Sequence, residues 1–426
     1  MRGIVLLLGA AAWLTGSLAT SFTPLHAQVV PGGPVDEPSA SDEKVVPGLI
    51  AAGVGVGIAA LLGRKKKITM RDRETRDHMP RSVIMVMRDG AGDPQAAIAA
   101  SGMVDAQLDR LDEVSLVMIA GELPEDANFD AEMARIGQLP DVVWVQREGI
   151  FELKGEFGQK TTTRPARLVT SSSPVTSGLA TGSGAVSIAM IDSAVDLGHE
   201  ALRASWIRQH RFTGGESASA HGTAIASVIV GRSEVRGTAP TQQLTSYAAF
   251  SQGDANRPGI SSTRLLARAL NAAAKSRPDI LNMSFGGPDD RLLRELVGLI
   301  DRRGTCIFAA TGNGGAKARA PFPAIMDTVN GITALDTKQR AYRYATPGRH
   351  VAAAAFGVKR LTAVPGGYRI ASGTSFASAW VAGRASLLPQ CSGSHDSVGL
   401  RRHIASQSVD LGQPGRDDIY GYGQFR

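Results

Sequence analysis

Ser372-Gly373-Thr374-Ser375-Phe376-Ala377-Ser378-Ala379-Trp380-Val381-Ala382-Gly383 is the stretch that decides how this chain reads. A small polar turn containing glycine runs straight into an apolar segment with no helix breaker before Gly383. That pattern predicts a buried helix with Ser375 in its first turn. The leading N–H groups of a helix have no partner within it, and the dipole there favours negative charge. An acyl-transfer nucleophile needs that setting. Taken alone, a serine in this place is an N-cap.

Two upstream segments change the weight of the serine. Val186-Ser187-Ile188-Ala189-Met190-Ile191-Asp192-Ser193 is a strand-like apolar run ending in a carboxylate. His221-Gly222-Thr223-Ala224 opens a second apolar helical run, Ile225 to Val230. An acid at a strand end, a histidine at a helix start and a serine at a helix start supply an orienter, a general base and a nucleophile. Of the eight histidines, only His221 combines a following Gly-Thr with an apolar helix. No Gly-x-Ser-x-Gly elbow surrounds Ser375, which argues against an esterase or lipase.

With the order Asp, His, Ser, the chain resembles the subtilases, the subtilisin-like serine peptidases, over roughly residues 80 to 426. Further matching motifs are Leu281-Asn282-Met283-Ser284-Phe285-Gly286-Gly287 and Ala309-Ala310-Thr311-Gly312-Asn313-Gly314. The resemblance implies a serine endopeptidase with Asp192, His221 and Ser375 as its triad and Asn313 as side-chain donor of the oxyanion hole. It also implies that Ser284, Phe285, Gly286 and Gly287 pair with substrate backbone, and that Ala309, Ala310, Thr311 and Gly312 line the opposite side of the pocket. His199 reads as a structural loop residue. Ala194, Glu200 and Ala379 depart from the family pattern without removing a reacting group.

Short apolar runs at Ile188–Ile191, Leu244–Ala249, Ile280–Met283 and Ile307–Ala310 alternate with helix candidates at 222–230, 262–275 and 290–302. Such alternation predicts an α/β fold, a mostly parallel sheet between helix layers. The subtilisin-like three-layer arrangement is what the resemblance adds, for residues 186–426.

Residues 81–153 read as a separate small α+β unit, ferredoxin-like, with strands at 82–88, 114–119 and 142–146 and helices at 94–112 and 129–137. By resemblance it is an inhibitor-type propeptide, cut by the enzyme itself. A processing linker, 154–185, follows, rich in Thr, Ser and Gly from Thr161 to Gly184, with the cut expected between about residues 153 and 180.

Residues 1–27 read as a signal peptide, and 28–80 as a linker holding an apolar run at 45–63 and the cluster Arg64-Lys65-Lys66-Lys67. Glycines dilute that apolar run. The expectation is therefore an exported protein, secreted or in the envelope, loosely membrane-associated through 45–63. The alternative is a membrane anchor with the peptidase on the cytoplasmic side. The formal charge of +7 comes without a nucleic-acid motif.

Cys306 and Cys391 read as buried thiols. No metal-ligand spacing stands out and no cofactor is expected for catalysis. The resemblance adds structural calcium without identifiable ligands. Expected partners are protein or peptide substrates and the chain's own propeptide. The competing reading is a non-catalytic envelope scaffold on the same fold.

Overall fold

In the computed structural model the described residues are 77–161, 186–215, 217–253, 258–391 and 397–426. The signal-like stretch 1–27, the apolar run 45–63 and linker residues 162–185 lie outside them. Everything described belongs to one compact unit, Lys67–Arg426. No helix among the described residues is long and apolar enough to cross a membrane.

The chain opens with β1 (His78–Arg88), α1 (Pro94–Ser101), β2 (Val104–Leu111), β3 (Leu116–Glu122), α2 (Phe129–Ile136) and β4 (Val142–Glu152). Their sheet order is β2-β3-β1-β4, antiparallel throughout, a ferredoxin-like split βαβ. The expected helix over 94–112 is corrected here. α1 stops at Ser101 because Gly102 caps it with φ 68°, and Val104–Leu111 becomes a strand. Alternation then gives this sheet two apolar faces. Val83, Met85 and Met87 join Val117, Ile119 and Ile136 in a core of their own. Ile84, Val86 and Met118 point the other way, into the core beneath the next helices.

The second layer system contains β5 (Glu156–Thr161), β6 (Ser187–Ser193), β7 (Ile207–Arg211), α3 (Ala220–Val230), β8 (Gln243–Phe250) and β9 (Ile260–Ser262). Next come α4 (Thr263–Ser276), β10 (Ile280–Met283), α5 (Arg291–Arg302), β11 (Cys306–Ala310), β12 (Asn330–Leu335) and β13 (Val351–Phe356). The chain ends with β14 (Arg360–Val364), β15 (Gly367–Ser372), α6 (Thr374–Ala385), α7 (Ser397–Gln407), β16 (Ser408–Val409) and β17 (Gln424–Phe425). Nine strands form one sheet in the order β16-β17-β13-β12-β11-β10-β6-β8-β7. Only the β16–β17 pair is antiparallel.

Both faces of that sheet are covered, as a parallel sheet requires. Ile188 and Met190 pack with α3 and α6, while Ala189 and Ile191 pack with α4 and α5. The result is the subtilisin-like three-layer α/β fold. β6 has β8 on one side and β10 on the other, so the strand order reverses at its carboxyl end, where open sheets hold their ligands.

The small unit docks on α4 and α5. Ile84, Val86 and Met118 are fully buried, and each such side chain contributes about 1.5–3 kcal/mol. Arg264 and Arg268 meet Asp109 at 2.6 and 3.2 Å, and Arg303 meets Glu113 at 2.6 Å. These partly exposed pairs fix register more than they add stability.

Cys306 and Cys391 form a disulfide, Cα–Cα 5.7 Å, not the two buried thiols expected from the sequence. Cys391 follows α6 and is folded back beside the first residue of β11, a proximity that the sequence separation of 85 conceals.

Candidate active site

Each candidate residue sits at the end of a strand or the start of a helix. Asp192 ends the apolar run of β6 and is fully buried. His221 is the second residue of α3, Ser375 the second of α6, and Asn313 lies in the loop after β11. The carboxylate oxygens of Asp192 accept from His221 Nδ1 at 2.8 and 3.0 Å. Ser193 N–H donates to the same carboxylate at 2.8 Å. Nδ1 is thus the protonated nitrogen, which leaves Nε2 as the acceptor. Nε2 is buried and has no protein partner.

The helix carrying His221 approaches β6 very closely. Gly222 N–H donates to Ser193 Oγ at 3.0 Å, and a Cβ at Gly222 would lie 2.0 Å from Ser193 O. Only glycine fits there. Ala194 keeps ordinary negative-φ backbone, so its departure from the family's glycine costs no strain. His199 donates from Nε2 to Gly367 O at 2.9 Å and Glu200 accepts from the Tyr368 hydroxyl, so both hold the start of β15.

Asn313 is oriented by a network that the sequence did not disclose. Its Oδ1 accepts from Thr374 N at 3.0 Å and Thr374 Oγ1 at 2.9 Å. Thr374 Oγ1 in turn accepts from Gly312 N at 3.2 Å. These contacts fix the amide's sense, so Nδ2 is the donor aimed outward. The adjacency of Thr374 to Ser375 was the available clue.

What Nδ2 meets is the chain itself: Asn313 Nδ2 donates to Lys154 O at 2.6 Å. Ser375 Oγ lies 3.2 Å from the same oxygen and 3.2 Å from Ser284 O. Two residues upstream, Glu152 N donates to Gly286 O at 2.9 Å and Gly286 N donates to Glu152 O at 3.0 Å. On the other side β4 pairs with β9 through Ile150–Glu152. Leu153 N donates to Gly259 O at 2.9 Å. β4 therefore continues from the small sheet into the cleft as an added strand. Within Ser284–Gly287 it is Gly286 that pairs with this strand, while Gly287 pairs with Phe322 instead.

Ala309 and Ala310 are buried in β11, with Thr311 buried beyond them and Gly312 at the cleft. Pro321 fills the gap between the walls. A Cβ on Gly286 would lie 3.0 Å from Pro321 Cβ, and one on Gly312 would lie 3.1 Å from Pro321 Cγ. The Lys154 ammonium turns back to Glu152, 2.8 Å from its carboxylate.

Past Lys154 the chain forms β5, antiparallel to β15. Residues 156–161, expected within the processing linker, are therefore a strand. Tyr342 donates its hydroxyl to Glu156, and burial together with that carboxylate pushes the phenol well above its ordinary range. His350, beside Thr311 O at 3.2 Å, is held below the usual imidazole range by burial. No group of three or more His, Cys, Asp or Glu able to hold a metal occurs among the described residues.

An Asp–His pair, a helix-borne serine and an oriented amide gather at the carboxyl ends of parallel strands, an arrangement whose chemistry suits acyl transfer. The Peptidase S8 model, described as the subtilase family, matches residues 183–423, and the chain belongs to that family. It is 30% identical over 252 residues to subtilisin BL of Lederbergia lenta, covering 57% of this chain and 89% of that one. With minor extracellular protease Epr of Bacillus subtilis (strain 168) it shares 29% over 244 residues, 56% of this chain but 37% of that protein's length. Among solved structures, fervidolysin from Fervidobacterium pennivorans, described as a keratinolytic enzyme related to subtilisin, shares the fold. The TM-score is 0.67 and the identity 18%, over 83% of this chain and 61% of that one. The prenylagaramide maturation protease PagA matches with TM-score 0.50 and 25% identity, over 57% of this chain and 90% of that one.

Proposed function

We propose that the protein is a serine endopeptidase made as a zymogen, and that Lys154–Gly155 is the bond it cuts in itself. The observation that carries this reading is the Lys154 carbonyl oxygen, held by Asn313 Nδ2 at 2.6 Å with Ser375 Oγ 3.2 Å away. A peptide carbonyl laid on an amide donor beside a nucleophile, in an extended strand, is the arrangement of a substrate.

In the reactive geometry the Ser375 hydroxyl turns from the carbonyls of Ser284 and Lys154 to His221 Nε2, which takes its proton as Oγ bonds to the carbonyl carbon. Asp192 holds the ring tautomer and stabilises the imidazolium. Negative charge forming on the Lys154 oxygen is met by Asn313 Nδ2 and the Ser375 backbone N–H, at the positive end of α6. The imidazolium then protonates the departing Gly155 nitrogen, and water releases the acyl group from Ser375 by the same steps in reverse. Residues 77–154 stay as an inhibitor because β4 keeps the cleft filled after the cut.

The protein is exported on this reading. The Cys306–Cys391 disulfide suits an oxidising compartment. A role for residues 45–63 at a membrane surface is tested separately by flotation of full-length and truncated chains with vesicles. The central experiment compares wild type with Ser375→Ala by intact mass after refolding. Wild type should lose the segment ending at Lys154 while the variant stays whole. If both remain whole and neither reacts with a phosphonate serine probe, the scaffold reading replaces this one.

A further inference from the structure

Residues on the far side of the Lys154–Gly155 bond are held as specifically as those before it. β5 lies along the edge of β15 that β14 leaves open, with Glu156 opposite Ser372, Phe157 opposite Ala371 and Thr161 opposite Tyr368. β15 runs directly into the helix of Ser375, so its open edge leads away from the nucleophile.

Two contacts add side-chain content to this backbone pairing. The Phe157 ring stands edge-on to Phe376, centroids 5.7 Å apart, and to His221 at 6.4 Å. Phe376 itself lies 5.9 Å from the His221 ring. At Gly155, a Cβ would lie 3.2 Å from both Cε2 and Cζ of Phe376 and 3.6 Å from His221 Cδ2. Phe376 is fully buried in the main core and has little freedom to withdraw.

We propose that this enzyme selects substrates on the leaving-group side: an extended segment with glycine immediately after the cut and an aromatic residue two positions further on. The segment adds as a strand to β15, its ring seated on Phe376 and His221. Phe376 is the residue that sets the glycine requirement. This rests on the peptidase reading above. In the chain's own sequence, Gly155-Glu156-Phe157 satisfies the rule.

The test uses the full-length chain after processing and separation from the segment ending at Lys154, against internally quenched peptides copied from residues 151–160. Replacing the aromatic by alanine should lower kcat/KM about tenfold, the scale of two lost aromatic contacts. Replacing the glycine by valine should lower it at least a hundredfold, and Phe376→Ala should recover most of that loss. A parallel substrate, acyl-Phe-Glu-Leu-Lys-aminomethylcoumarin, carries no amino acid after the cut. If it is hydrolysed by wild type and not by Ser375→Ala, while both peptide changes stay within twofold, the selection proposed here is overturned and the peptidase reading stands. Should it resist hydrolysis with no phosphonate labelling, both fall together. The peptide comparisons use wild-type enzyme, so they decide the matter even where Phe376→Ala does not fold.

Discussion

Asn313→Ala is the sharpest probe of the site. The amide's Oδ1 is occupied by Thr374 N and Oγ1 at 3.0 and 2.9 Å, so Nδ2 alone faces the Lys154 oxygen, at 2.6 Å. Alanine removes that donor and leaves the Asp192–His221 pair and Ser375 in place. Loss of one oxyanion donor costs about 10²–10³ in rate, or about 2.7–4 kcal/mol of transition-state stabilisation. Thr374→Val is the graded companion. Its backbone N–H still holds Oδ1, so the amide is loosened rather than deleted, and a fall of about tenfold, about 1.4 kcal/mol, is expected. The assay follows intact mass after rapid dilution from denaturant, with N-terminal sequencing to find Gly155 as the new first residue. The series should run wild type, Thr374→Val, Asn313→Ala and Ser375→Ala in falling rate, always with cleavage at the same bond. Processing of Asn313→Ala within threefold of wild type, with Ser375→Ala inert, would falsify the role given to the amide.

Three further outcomes are expected. Replacing Cys306 and Cys391 together by serine should lower stability by about 2–4 kcal/mol, because the bridge closes a long loop; denaturant melts with and without reductant measure it. His350 is depressed by burial, so the unfolded chain binds its proton first. Its contribution is complete above the ordinary imidazole pKa of about 6.5 and is lost as pH falls toward the lower native value. In a Ser375→Ala background, His350→Gln should flatten the pH dependence of stability below about 6.5 by up to about 1.4 kcal/mol per pH unit. Pro321→Gly should open the gap between Gly286 and Gly312 and raise kcat/KM at least tenfold for peptides with a large apolar residue before the cut. An unchanged preference would mean that Pro321 does not limit that pocket.

The placement of the candidate residues was legible in the sequence because each lies inside a local pattern. Asp192 ends a strand run, and His221 and Ser375 begin helices that announce themselves by composition. Helices predicted at 222–230, 262–275 and 290–302 fell within two residues of α3, α4 and α5 at both ends. What escaped was set by contacts between distant segments. The Cys306–Cys391 bridge depends on where α6 delivers the chain. Val104–Leu111 carries enough leucine, alanine and charge to pass for helix, and pairing with β3 decides otherwise. Nothing around Lys154 distinguishes it in sequence. Its place follows from β4 running on past the small sheet until Gly286 and Asn313 receive it.

That continuous strand has a consequence for how activity would be switched on. While Lys154 and Gly155 remain joined, the plug is tethered, and its occupancy of the groove does not depend on how much protein is present. Opening the bond turns the same contacts into an encounter between two separate bodies, governed by a dissociation constant. Under the proposed self-cleavage, latency becomes a matter of dilution: a crowded preparation should stay silent and a dispersed one should wake. Any molecule that escapes can destroy the detached plugs of its neighbours, so the time course should be sigmoidal, with a lag that shortens when a trace of active enzyme is added.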